Sequence, residues 1–182
     1  MDPQAGVVVY IASLGGVYGV NVSTGITKPL LGGSQMDLNS INIQSLADGA
    51  HTLSIMFSET GYSLLDVTGI GKFGGTIAEN RSTVVASAYF DDATNALFNL
   101  GTLIGTTGSL SGSPFSATFT GRGPAAAPYS MTQLLTVSTT ERRAMFSGDF
   151  ELTMVPEPAS IALLGGTLLF VTGVMRKKLR RS

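Results

Sequence analysis

Acidic residues occur in two arrangements with chemical potential. Asp91 and Asp92, followed by Thr94 and Asn95, put several hard oxygen donors into one short stretch, the ligand type that a weak calcium site needs. The same residue types are turn formers, and a turn is the stronger reading. Asp149 and Glu151, at i and i+2, share one face of any strand that carries them. Two carboxylates so placed suit acid–base work on a glycosidic bond, and they suit a solvated sheet face equally well. No third acidic partner is identifiable from the sequence.

The remaining candidates are weaker. His51 is the only histidine and heads a strand pattern, and no Gly-x-Ser-x-Gly elbow offers it a nucleophile. Gly69-Ile70-Gly71-Lys72-Phe73-Gly74-Gly75-Thr76 lacks the residue order of a phosphate cradle, and no helix pattern follows it to lend a dipole. A flexible hairpin or a bulged strand is expected there. Asn21-Val22-Ser23 and Asn80-Arg81-Ser82 match the glycosylation triplet. Tyr10, Tyr18, Tyr62, Tyr89 and Tyr129 offer faces on which a sugar could stack, although there is no tryptophan, the largest such platform. The absence of cysteine excludes disulfides, thiol chemistry and thiolate metal sites. No catalytic constellation and no cofactor motif emerges, and the chain is read as a non-enzyme.

The elements that must position these residues read as strands. Leu53, Ile55 and Phe57 alternate with Thr52 and Ser54, and Val84, Ala86, Ala88 and Phe90 alternate with Thr83, Ser87 and Tyr89. The clearest alternation sets Ala144, Phe146, Gly148, Phe150, Leu152 and Met154 against Ser147, Asp149, Glu151 and Thr153. Period two of this kind marks half-buried strands. Shorter runs of the same character are Tyr18-Val20-Val22, Ile41-Ile43, Phe115-Ala117-Phe119 and Met131 with Leu135 and Val137. Turn residues punctuate them at Ser23-Thr24-Gly25, Gly32-Gly33, Asp48-Gly49, Asp91-Asp92, Gly108 to Pro114 and Gly121 to Pro128. With no helical pattern before residue 159, one all-β domain is expected over residues 1–154, an antiparallel β-sandwich or a jelly-roll-like fold.

The C-terminal residues 155–182 are of a different kind. Pro156-Glu157-Pro158 is followed by an uncharged apolar run over residues 159–175 and then by Arg176, Lys177, Lys178, Leu179, Arg180 and Arg181. As a helix the run is about 25 Å long, enough to span a membrane if the flanking basic side chains snorkel. The basic cluster is attracted to anionic cytoplasmic lipid and resists translocation. It therefore acts as a stop-transfer signal, with the C-terminus cytoplasmic and the β domain outside. Each proline biases its predecessor toward extended geometry, which predicts a stiff, accessible peptide at the mouth of the helix.

Val155-Pro156-Glu157-Pro158-Ala159-Ser160, the short Leu/Gly-rich run and the terminal basic cluster closely resemble the PEP-CTERM sorting signal of Gram-negative bacteria. The resemblance is confined to residues 156–181. It implies recognition by an exosortase, a membrane-embedded cysteine-type transpeptidase, with Pro156, Glu157 and Pro158 as the sorting motif. It further implies transient anchoring in the inner membrane and then release to the cell surface or extracellular matrix, in bacteria that make exopolysaccharide and grow as biofilms or flocs. Two of the basic residues are Lys where the family is usually rich in Arg. A secretory signal is also expected, yet no Lys or Arg precedes the apolar run Val7 to Val20. Gly15 and Gly16 make that run read as a hairpin, so the expectation is that the true start lies upstream or that a leader has been removed.

Charge is distributed unevenly. Residues 1–175 hold 6 Lys+Arg against 12 Asp+Glu, a formal −6, while the tail adds +5. An acidic exported part repels nucleic acid. The leading expectation is a structural protein of the surface or biofilm matrix, and the alternative is a polysaccharide-binding module with exopolysaccharide as partner. A secreted hydrolase is the third and weakest expectation.

Overall fold

The computed structural model describes residues 5–78 and 82–157. They form ten strands: β1 (Val7–Leu14), β2 (Tyr18–Ile26), β3 (Gln35–Ser45), β4 (His51–Tyr62), β5 (Val67–Ile77), β6 (Ser82–Asp91), β7 (Thr102–Thr106), β8 (Phe115–Arg122), β9 (Tyr129–Thr139) and β10 (Met145–Pro156). One sheet has the order β1-β2-β3-β10-β5-β8 and the other β4-β9-β6-β7, every pairing antiparallel. From β3 onward each connection crosses between the sheets except that from β6 to β7. The expected all-β sandwich is present. The expected C-terminal helix lies outside the described residues, as do Pro158 and the basic residues 176–181.

Alternation explains most of the architecture. Phe146, Gly148, Phe150, Leu152 and Met154 of β10 face the interior, and β10 lies between β3 and β5. Phe73 of β5 packs edge-on against Phe150 with ring centroids 5.8 Å apart, and Phe119 of β8 meets Phe150 in the same way at 6.1 Å. From the facing sheet, Val84, Ala86, Met131, Leu135 and Val137 complete the core. Among the described residues, Gln133 of β9 is the one long polar side chain that is completely buried, and its Nε2 donates to the Phe150 carbonyl of β10 at 2.7 Å. That bond ties the two layers at one register.

Two expectations are corrected. Residues 69–76 are neither hairpin nor bulge but the interior of β5, in unbroken register with both β10 and β8. The glycines make room: a Cβ on Gly71 would lie 2.2 Å from Cζ of the Phe119 ring, and one on Gly105 of β7 would lie 2.5 Å from its Cδ2. Ser23-Thr24-Gly25 is not a turn either, because it continues β2. Gly25 is buried against the Phe57 ring, and β2 bulges where Val8 pairs with Gly25 and Tyr10 with Val22. By contrast Gly15 and Gly16, with φ of +57° and +68°, do form the tight β1–β2 hairpin.

Phe119 packs against the backbones of Gly71 and Gly105, so overpacking there should be felt directly. Gly71→Ala is expected to lower unfolding free energy by about 1–3 kcal/mol, read as a lower urea midpoint with unchanged slope.

Candidate functional site

The outer face of the six-stranded sheet carries a polar groove. Antiparallel register places Asp37, Glu151, Lys72 and Thr118 in one row across β3, β10, β5 and β8. A parallel row consists of Asn39 and Ser40, Asp149, Gly74 and Ser116. Neighbouring strands are about 4.8 Å apart, so each row presents closely spaced hydrogen-bonding groups. Gly74 contributes no side chain, and the rows enclose an open depression of about 440 Å³.

Local irregularity aims the first carboxylate. On β3, Asn39 and Ser40 together oppose the single residue Asp149, a bulge in which Ser40 adopts φ +53°. The Ser40 N–H donates to Asp149 Oδ1 at 2.6 Å. Glu151 is fixed from two sides: Lys72 Nζ lies 3.5 Å from Oε2, and the Thr153 hydroxyl donates to Oε1 at 3.0 Å. The ion pair is exposed and adds little stability, although it orients both groups. Asp37 is the third acidic partner that sequence alone did not identify. Its carboxyl is pushed up from the usual value, first by burial and then by the charges of Asp149 and Glu151, with Asn39 partly opposing. Among the described residues, no three such side chains converge as a metal site.

The Asp91–Asp92 pair serves the loop after β6. Asp91 accepts hydrogen bonds from the backbone of Ala93, Thr94 and Ala96, from the Thr94 hydroxyl and from Asn99 Nδ2. These donors, led by Thr94, hold its carboxyl well below the usual carboxylate range. Asp92 Oδ2 accepts from the amides of Ala125 and Ala126. The oxygens proposed for calcium thus face protein donors, and the turn-forming reading describes them.

Three of the five tyrosines are unavailable to a sugar. Tyr18, Tyr62 and Tyr129 are buried, and their hydroxyls reach Thr139, Thr27 and the Leu64 carbonyl at 3.0, 2.7 and 3.0 Å. Burial pushes the Tyr129 hydroxyl up to about 12 and raises that of Tyr62 as well. Tyr89 is half-buried on β6, and Tyr10 lies in an apolar cleft between β1 and β4 with Leu53 and Ile55, so neither adjoins the groove. His51 Nε2 bonds the Asp48 carbonyl at 3.1 Å, in the β3–β4 loop far from the carboxylates. Pro156 pairs with Val67 as the last residue of β10, and the Glu157 N–H donates to the Asp66 carbonyl at 2.9 Å. Pro156 and Glu157 are both exposed while being pinned at the start of β5. Strand β10 ends at Pro156.

No family model matches the chain, and no curated protein does. Among solved structures, the carbohydrate-binding module TmCBM61, described in complex with beta-1,4-galactotriose, is 9% identical with a TM-score of 0.40, covering 77% of this chain and 88% of that one. A structure of carbohydrate-binding modules from the beta-sandwich superfamily is 10% identical at TM-score 0.43, covering 82% and 57%. A structure of infectious bursal disease virus is also 10% identical, at TM-score 0.38 over 77% and 34%. With TM-scores this low, the likeness carries no ligand across to this chain.

Asp37 and Asp91 should titrate with opposite sign. Asp37 binds its proton more tightly folded than unfolded, so stability falls as pH rises from about 4, the unfolded value, through the raised folded value. Asp37→Asn is therefore expected to raise the thermal midpoint at pH 7, with the difference vanishing below the unfolded value. Asp91 has a lowered folded value, so its contribution is present above about 4 and is lost as pH falls through the folded one. Asp91→Asn should lower the midpoint at pH 7 and approach the parent protein in acid; thermal scans across pH read both.

Proposed function

We propose that this chain is a non-catalytic surface protein whose sandwich binds a neutral glycan along the groove at Gly74. The observation that carries the reading is the pair of parallel rows, in which Asp37, Asp149 and Glu151 accept and Lys72, Ser116 and Thr118 donate around a floor without a side chain. Fixed carboxylates are strong acceptors for sugar hydroxyls. The excess of acid over base in the groove disfavours anionic polymers. Without an aromatic platform in the groove, affinity rests on hydrogen bonds, and each one is modest in net terms.

Residues 156–181 supply the address in this proposal. The resemblance to the PEP-CTERM signal supports transient anchoring in the inner membrane, processing by an exosortase at Pro156, Glu157 and Pro158, and display at the surface, where exopolysaccharide is the partner at hand. A purely structural role in the matrix is the coarser form of the same reading and needs no glycan affinity.

Native gels cast with neutral exopolysaccharide separate the two. Retardation of the full chain in detergent, insensitive to salt, is expected. Glu151→Gln should weaken it about tenfold or more, the scale of one hydrogen bond to a charged group. Gly74→Val should abolish it while folding is preserved, since a Cβ there meets only ordinary contacts at 3.6 Å and beyond. Equal mobility with and without polymer would leave only the structural role, and release of reducing ends would mark a hydrolase. For the address, a host with an active exosortase should yield a product shortened near Pro156 and released from the inner membrane, and Glu157→Ala should block its formation.

A further inference from the structure

The end of the sandwich from which the chain departs toward residue 158 presents a group of exposed apolar side chains beside the charged Lys28, Asp66, Arg122 and Glu157. Leu30 in the β2–β3 loop, Leu64 and Leu65 in the β4–β5 crossover and Val155 near the close of β10 are each 36–48% exposed. Hydrogen bonds gather these segments: Met154 N–H to the Ser34 carbonyl, Glu157 N–H to the Asp66 carbonyl and the Tyr129 hydroxyl to the Leu64 carbonyl. The loop organised by Asp91 reaches the same end, where Asn95 Oδ1 accepts from the Gly61 N–H, and it presents Leu97 and Phe98 at 52% and 54% exposure. The β3–β4 and β9–β10 loops at the opposite end carry Asp48, Glu141, Arg142 and Arg143.

The covalent chain limits what can cover this surface. Only Pro158 separates Glu157 from the apolar run that begins at Ala159. Two residue steps span at most about 7 Å. Glu157 is held to Asp66, the residue before β5, so there is no slack to lift the domain away from whatever residues 159–175 enter. An apolar rim of loops a few ångströms from the start of an uncharged helix-length segment is where a bilayer interface would lie.

We propose that this end of the sandwich rests on the membrane, with Leu30, Leu64, Leu65, Leu97, Phe98 and Val155 dipping into the boundary between headgroups and acyl chains. The proposal rests on the reading that residues 159–175 insert. Asp66 and Glu157 share the same end and stay at headgroup level, which limits the depth to the side chains of the loops. Apolar side chains and a tether together bind more firmly than either alone, because the tether makes docking intramolecular.

The chain contains no cysteine, so single labels are clean. Full-length Leu65→Cys, Leu97→Cys and Ala50→Cys proteins, each carrying a polarity-sensitive fluorophore, are reconstituted with vesicles of phosphatidylethanolamine and phosphatidylglycerol containing a quencher-bearing lipid. Cosedimentation with a blue shift and quenching at residues 65 and 97, and neither at residue 50, is the expected result. Cosedimentation with residues 65 and 97 as exposed to water as residue 50 would overturn the docked surface while leaving the anchor reading intact. Failure to cosediment would overturn both. A Leu64→Asp change placed in the Leu97→Cys protein is expected to reduce the shift at residue 97 without releasing the chain from the pellet.

Discussion

The register of β10 is the constraint on which the rest depends. This strand is the last in the described chain, yet it occupies the middle of the larger sheet, paired with β3 on one side and β5 on the other. Its inward residues supply Phe146, Phe150, Leu152 and Met154 to the core, and its outward residues supply Asp149 and Glu151 to the groove. A slip by one residue would exchange the two sets. Two polar contacts oppose that slip: Gln133 reaches across the interior to the Phe150 carbonyl, and Asp149 holds the Ser40 amide at the bulge of β3. Core and groove are thus specified by the same alignment.

That coupling bears on how the groove would recognise a glycan in the proposed reading. Its side chains stand on paired strands rather than on mobile loops, and the acceptors are already aimed by Ser40, Lys72 and Thr153. Preorganisation reduces the ordering cost of binding, which matters most where single hydrogen bonds contribute little. The rows run across the strands. If the sandwich stands on its apolar end, as proposed, a polymer following a row would lie parallel to the membrane, and many tethered copies could hold one strand of polymer together.

Much of this was legible in the sequence where side chains alternate without interruption. The inward and outward faces of β10 follow directly from Phe146, Phe150 and Leu152 set against Asp149 and Glu151, and β4 and β6 follow in the same way. Strand β5 was obscured because its inward positions include Gly69 and Gly71, whose space is filled by Ile104 and Phe119 from distant strands. The Ser23-Thr24-Gly25 triplet has turn composition, but tertiary pairing and the Phe57 ring keep it in β2. In the groove, Asp149 and Glu151 were visible as a pair, whereas Asp37 and Lys72 join them only through cross-strand register, which no local pattern records. Tyr18, Tyr62 and Tyr129 turn inward for a related reason: a phenol is as well suited to closing a sandwich, with its hydroxyl bonded to Thr139, Thr27 or Leu64, as it is to meeting a sugar.

The most direct test of glycan recognition by the larger sheet is a titration of the isotope-labelled full chain with neutral exopolysaccharide fragments, followed by amide and side-chain chemical shifts. The account predicts saturable shifts confined to Asp37 to Ser40, Lys72 to Gly74, Ser116 to Thr118 and Asp149 to Glu151. Unchanged spectra at saturating fragment, or shifts clustered on the outer face of the smaller sheet, would contradict it.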